Sequence, residues 1–94
     1  MIRVMHTPGQ LRLEGHAGAG TFGQDPVCAA VSSLVLAFSV RLQELGEKGG
    51  ILRPGYAFLR YRPESPEQRA GAELVLAGLH TLAGFYPECL LIEK

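Results

Sequence analysis

Apolar residues alternate with polar ones at the start of the chain and then settle into helical spacing over two longer stretches. Residues 2–6 and 11–16 are short alternating runs: Leu11 and Leu13 point one way, Arg12 and Glu14 the other, as in strands with one buried face. Pro8-Gly9 separates the runs, so they read as a β-hairpin that ends at His16. Residues 17–24 are too rich in glycine for regular structure and too short for a linker, and predict a flexible loop. Asp25 is a good helix N-cap, and Pro26 suits the first helical position, where its missing N–H costs nothing. A helix therefore follows over 26–45 and stops near Gly46. It is apolar on nearly every side until Arg41. In a small domain, such a helix has one face on a sheet and another under a second helix or a partner subunit.

Gly49-Gly50 marks a turn, and residues 51–53 and 56–62 read as a second strand pair around Pro54-Gly55. The longer of these strands carries Tyr56, Phe58 and Tyr61. Pro63 to Pro66 break it, and Ser65 or Glu64 can cap a second helix over about 66–84. Leu74, Leu79 and Leu82, with Val75 and Phe85, supply the apolar stripe of that helix. Pro87 ends the region, and residues 88–92 form a final short strand. The order is ββ-α-ββ-α-β. It predicts a single α+β domain over residues 1–94, with two helices packed on a mixed, mostly antiparallel sheet.

Composition narrows the field. Of 94 residues, 47% are hydrophobic and 19% charged, which fits a globular chain and not a disordered one. Nine basic and nine acidic residues cancel, so the overall charge favours neither nucleic acid nor an anionic membrane. The longest apolar segment, near Val27 to Leu42, is interrupted by serines and Arg41, and the N-terminus lacks the apolar core of a signal peptide. The expectation is a cytoplasmic protein with no membrane and no direct nucleic-acid partner. Cys28 and Cys89 form no CxxC pair and read as free thiols in a reducing compartment. His6 and His80 stand away from other ligand residues, so no metal site and no cofactor is expected.

The candidate chemistry lies between His16 and Cys28. Cys28 falls in the first turn of the first helix, where unpaired backbone N–H groups and the helix dipole favour negative charge on sulfur. A thiolate is the nucleophilic form of cysteine, and an imidazole is its usual base. The pattern points to Cys28 as nucleophile and His16 as general base and acid. Gly18, Gly20, Phe22 and Gly23 belong to the loop that joins them, whose small residues can bring the two together and open for a substrate. Asp25 is first of all an N-cap, with a role in orienting His16 as the alternative. Ser32 lies one turn below Cys28; its hydroxyl either bonds back to the Cys28 carbonyl or serves as a donor near the thiolate.

Two other motifs are weaker. Residues 18–23 fit GxGxxG, but the helix starts after the motif, Asp25 places a negative charge where a pyrophosphate would sit, and no βαβ unit surrounds the loop. Arg60-Tyr61-Arg62, with Tyr56 and Phe58 nearby, could offer rings and cations to RNA. Zero net charge favours an ordinary strand instead, with aromatics inward and arginines in water.

At residues 15–34 the chain closely resembles the bacterial ribosomal-processing cysteine proteases, the Prp family. Those proteins carry Gly-His-Ala, a glycine-containing loop, then Gly-x-Asp-x-Val-Cys-Ala-Ala-x-Ser-x-Leu. Here the same elements are Gly15-His16-Ala17 and Gly23-Gln24-Asp25-Pro26-Val27-Cys28-Ala29-Ala30-Val31-Ser32-Ser33-Leu34. Chain length and element order agree as well. One departure is Pro26, where relatives usually carry an aliphatic residue; it stiffens the helix start. The resemblance implies a homodimeric endopeptidase whose partner is the N-terminal segment of a large-subunit ribosomal protein. It would remove a short extension from that segment through Cys28 and His16, with Asp25 and Ser32 as motif positions near the site. The loop 17–24 would order when peptide binds, and helix-start amides, those of Cys28 and its neighbour, would hold the oxyanion. The alternative is a ribosome-associated binding protein of the same fold that does not cleave.

Overall fold

Strand alternation, two capped helices and a set of left-handed glycines account for most of the architecture. A computed structural model describes residues 1–18, 20 and 24–93. Its elements are β1 (Ile2–Thr7), β2 (Gln10–Glu14), α1 (Pro26–Glu44), β3 (Ile51–Arg53), β4 (Tyr56–Arg60), α2 (Pro66–Phe85) and β5 (Leu90–Glu93). The strands form one sheet in the order β3-β4-β2-β1-β5. β5 runs parallel to β1, with Ile2 opposite Leu90 and Val4 opposite Ile92. The other pairings are antiparallel. The α+β order and the mixed, mostly antiparallel sheet are those expected from the sequence.

Ile2, Val4, Leu11, Leu13, Ala57, Leu59 and Leu90 are buried on the sheet, where they meet Val27, Val31, Val35, Phe38 and Leu42 of α1 and Ala72, Val75 and Leu79 of α2. Val4 and Leu79 are wholly shielded from solvent; each such side chain contributes roughly 1.5–3 kcal/mol by leaving water. By length and composition α1 passes as a helix able to cross a membrane, but its buried stripe is part of this core. A second stripe on α1 stays in water, with Leu36 51% and Val40 53% exposed.

Each helix starts on its own cap. Asp25 Oδ1 accepts from the Val27 and Cys28 amides at 2.9 and 3.0 Å, and Ser65, not Glu64, caps α2 by accepting from the Gln68 amide. Gln68 is itself buried. Its Oε1 accepts from Arg62 N at 2.7 Å and its Nε2 donates to Glu47 Oε1 at 3.1 Å. These bonds tie the start of α2 to the chain on either side of the β3–β4 hairpin. His6 and Tyr61 share a hydrogen bond between Nε2 and Oη at 2.6 Å, with their rings stacked.

Three expectations need correction. β2 ends at Glu14, two residues before His16, because Gly15 takes φ +100° and turns the chain out of the sheet. On α2 the buried residues are Gln68, Ala72, Val75 and Leu79, whereas Leu74 and Phe85 are 72% and 75% exposed. The spacing of the buried set by four, three and four defines one face, and Leu74 lies about 100° round the helix from Val75. Finally, β4 ends at Arg60. Tyr61 is buried as expected, but Tyr56 and Phe58 lie on the sheet face opposite to that of Ala57 and Leu59.

Candidate active site

Asp25 and Pro26 fix where α1 begins, and with it the position of Cys28 in the first turn. The thiol is partly buried and free. Its sulfur accepts a hydrogen bond from the Ala17 amide at 3.2 Å, so a main-chain dipole points at the atom that would carry charge in a nucleophilic thiolate. That bond also ties the segment after β2 to the helix start. Ala17 is buried beneath it, at 4% exposure.

His16 precedes this amide and is held from another direction. The Gly15 N–H donates to the Gly55 carbonyl at 2.9 Å, which docks the Pro54-Gly55 turn of the β3–β4 hairpin against the His16 ring. Gly55 has φ +75°, and a methyl group on its Cα would lie 2.9 Å from His16 Nε2. Glycine is required there twice, by backbone conformation and by the closeness of the imidazole.

His16 and Cys28 line one cavity of about 400 Å³. One wall is α1, through Cys28, Ser32 and Leu36; the other is the hairpin, through Leu52, Arg53 and Gly55. Ser32 is exposed on the α1 wall. The back-bonding hydroxyl of this helix is that of its neighbour, Ser33 to the Ala29 carbonyl at 3.0 Å. Among the described residues no hydrogen bond joins the His16 ring to Cys28 or to Asp25, and three His, Cys, Asp or Glu side chains nowhere converge as metal ligands would.

The helix-start amides do not serve as expected. Those of Val27 and Cys28 are both spent on Asp25 Oδ1, which removes them as oxyanion donors while the cap holds. Of the loop positions singled out, Gly18 takes φ +72°, and a methyl on Gly20 would meet the Gln24 carbonyl oxygen at 2.7 Å. Phe22 and Gly23 lie outside the described residues. Sequence reasoning missed the Ala17 amide and Gly55. Pro54-Gly55 was legible as a turn, but nothing local says that this turn meets His16.

The family model described as Cysteine protease Prp matches residues 2–90. The ribosomal processing cysteine protease Prp of Bacillus subtilis (strain 168) is 37% identical over 91 residues, covering 83% of this chain and 76% of that protein. The fold superposes on the essential ribosomal processing protease Prp of S. aureus, crystallised with a covalently linked product peptide. That match has a TM-score of 0.81 at 19% identity, over 98% of this chain and 95% of that one. A Streptococcus mutans protein matches with a TM-score of 0.77 at 27% identity, over 99% of this chain and 92% of the other.

Proposed function

The chain belongs to the Prp family of cysteine proteases, and on that premise we propose that it removes a short N-terminal extension from a large-subunit ribosomal protein, using Cys28 and His16. The observation that carries this reading is that Cys28 and His16 line one cavity, with the Ala17 N–H already donated to the Cys28 sulfur.

In the proposed reaction His16 takes the proton of Cys28, and the thiolate attacks the scissile carbonyl to give a tetrahedral adduct. The imidazolium then protonates the departing amine as the carbon–nitrogen bond breaks. Water, activated by the same imidazole, hydrolyses the thioester and restores the thiol. The Ala17 amide steadies the sulfur before attack. The apolar part of the cavity, with Leu36 from the helix and Leu52 from the hairpin, suits apolar substrate side chains. Asp25 acts by capping α1, and Ser32 offers its hydroxyl to the peptide. The exposed Val40 of α1, one turn beyond Leu36, supports a homodimer in which a second copy covers Val40 and reaches the rim of the cavity at Leu36. The cytoplasm, a reducing compartment, suits a free nucleophilic thiol.

The test is mass spectrometry of the ribosomal protein's N-terminal peptide after incubation with the purified chain, with Cys28→Ala and His16→Ala in parallel. A single cut made by wild type alone is expected. An intact extension in all three samples would reject cleavage in favour of a binding protein of the same fold.

A further inference from the structure

Alternation along the strands leaves the sheet with a second face, opposite the helices. On it the register places Arg12 opposite Phe58, Gln10 opposite Arg60 and Arg53 opposite Tyr56. The arginines here differ from the others in the chain. Arg3, Arg41, Arg62 and Arg69 each sit on a carboxylate. Arg12, Arg53 and Arg60 have no such ion pair among the described residues, and each lies over an aromatic ring instead. The guanidinium carbons of Arg12 and Arg60 are 5.7 and 5.5 Å from the Phe58 centroid, and that of Arg53 is 4.6 Å from the Tyr56 centroid.

A guanidinium stacked on a ring keeps its N–H edge free for an acceptor, and its outer plane free for a second flat group. Cations and rings interleaved on an open sheet are the elements that hold single-stranded RNA, whose phosphates take the N–H edges and whose bases stack on the planes. The zero net charge of the chain hides this arrangement, because most of the carboxylates lie on the helices and in the loops; of the two on strands, Glu14 shares this face opposite Tyr56 and Glu93 is neutralised by Arg3. An acidic peptide would neutralise the arginines but make no use of the stacking planes.

We propose that the outer sheet face, through Arg12, Arg53 and Arg60 over Phe58 and Tyr56, binds single-stranded RNA. This revises the expectation, drawn from net charge, of no direct nucleic-acid partner. The preference for RNA over DNA rests on the proposed ribosomal substrate; the surface itself does not depend on that reading.

The test is fluorescence anisotropy of labelled oligouridylate and oligoadenylate with the full chain, titrated at several salt concentrations. Three phosphate contacts predict a slope of log affinity against log salt of about −2. The double variant R12Q/R60Q is expected to bind about tenfold more weakly or worse and to lose most of that slope. The control R41Q/R69Q, altered on the helices, is expected to bind as wild type does. Lack of binding by wild type at about 50 mM salt, or an unchanged affinity and slope in R12Q/R60Q, overturns the proposal. So does displacement of the RNA by polyglutamate at equal charge, which would assign the face to an acidic peptide. Cleavage assays on the same proteins separate the two readings. Wild type that cuts peptide but ignores RNA refutes the RNA face alone, and wild type that binds RNA but never cuts refutes the peptidase alone.

Discussion

Replacing Gly55 with alanine puts one methyl group against the imidazole from 39 positions along the chain, and its consequences can be worked out separately for stability and for activity. The backbone at Gly55 has φ +75°, where an L residue costs about 1 kcal/mol. For a domain of this size that predicts a fall in Tm of roughly 4–8 °C. The second cost is steric, because the methyl would lie 2.9 Å from His16 Nε2 and 3.3 Å from Cε1. Either the turn or the ring must give way. The turn is pinned by the Gly15–Gly55 hydrogen bond at 2.9 Å, while the exposed His16 ring has no hydrogen bond among the described residues. The ring therefore moves. A misplacement of about 1 Å in a reacting group costs on the order of 100-fold, so a shift of several tenths of an ångström predicts a loss of roughly 10- to 100-fold in kcat/KM.

Gly46 and Gly49 supply the controls. Both have positive φ, +89° and +93°, and a methyl on either meets no atom within 4 Å. Gly46→Ala and Gly49→Ala carry the strain without the contact, so they should lower Tm by a similar amount and leave kcat/KM within about twofold, well below the melting temperature. The assays are peptide cleavage and thermal unfolding, together with the pH dependence of Cys28 alkylation, which reports on its base. Equal activity losses in Gly55→Ala and Gly46→Ala would refute the idea that the hairpin turn positions His16. Full activity in Gly55→Ala would refute it too.

Asp25→Ala should cost about 1–2 kcal/mol by releasing the Val27 and Cys28 amides, and Asp25→Asn only a few tenths, as read by thermal unfolding; equal stability in the two would remove capping as the reason for the residue. Burial lowers the His6 pKa below 6.5, so the unfolded chain binds more protons than the folded one. The stabilisation is complete above the unfolded value of 6.5 and disappears as pH falls through the lower folded one, so Tm should drop as the pH is taken down below 6.5, and His6→Gln should flatten the profile. Leu36→Lys with Val40→Lys should give monomers by sedimentation where wild type gives dimers; a monomeric wild type at every concentration would contradict the covered stripe. Gln68→Ala should cost about 1–3 kcal/mol by unfolding, since it strips the Arg62 amide and Glu47 of a buried partner.

Much of this chain was legible before any coordinates, and the parts that were not have a common cause. Asp25, Pro26 and Cys28 could be placed because a helix cap is settled within one turn, and Pro8-Gly9 and Pro54-Gly55 because tight turns are settled by the residues within them. The phase of β4 could not be read, because Tyr56, Ala57, Phe58 and Leu59 are all apolar and period two has no polar partner to mark the outer face. Leu74 and Phe85 were misplaced for a similar reason. α2 carries more apolar residues than one face can hold, and only the contact with α1 and β5 selects Ala72, Val75 and Leu79. At the site Cys28, its place in the first turn of α1 and the nearby His16 were visible, whereas the Ala17 amide and the Gly55 turn depend on the pairing of β2 with β4.

That pairing links the two halves of the functional argument. One strand, β4, presents Ala57 and Leu59 to the core and Phe58 to the arginines of the open face, and the turn before it carries Gly55 to the imidazole. A one-residue slip of β4 against β2 would exchange the two faces, and it would also take Gly55 off His16. The cavity and the arginine face therefore share a single register and also Arg53 and Tyr56, whereas Gly55 serves the cavity alone and Arg12 and Arg60 the face alone. Changes at Gly55 should affect cleavage without altering RNA affinity, and changes at Arg12 and Arg60 should do the reverse. If instead each substitution altered both readouts, the perturbation would be in the register itself, and neither surface could be assigned its role from those variants.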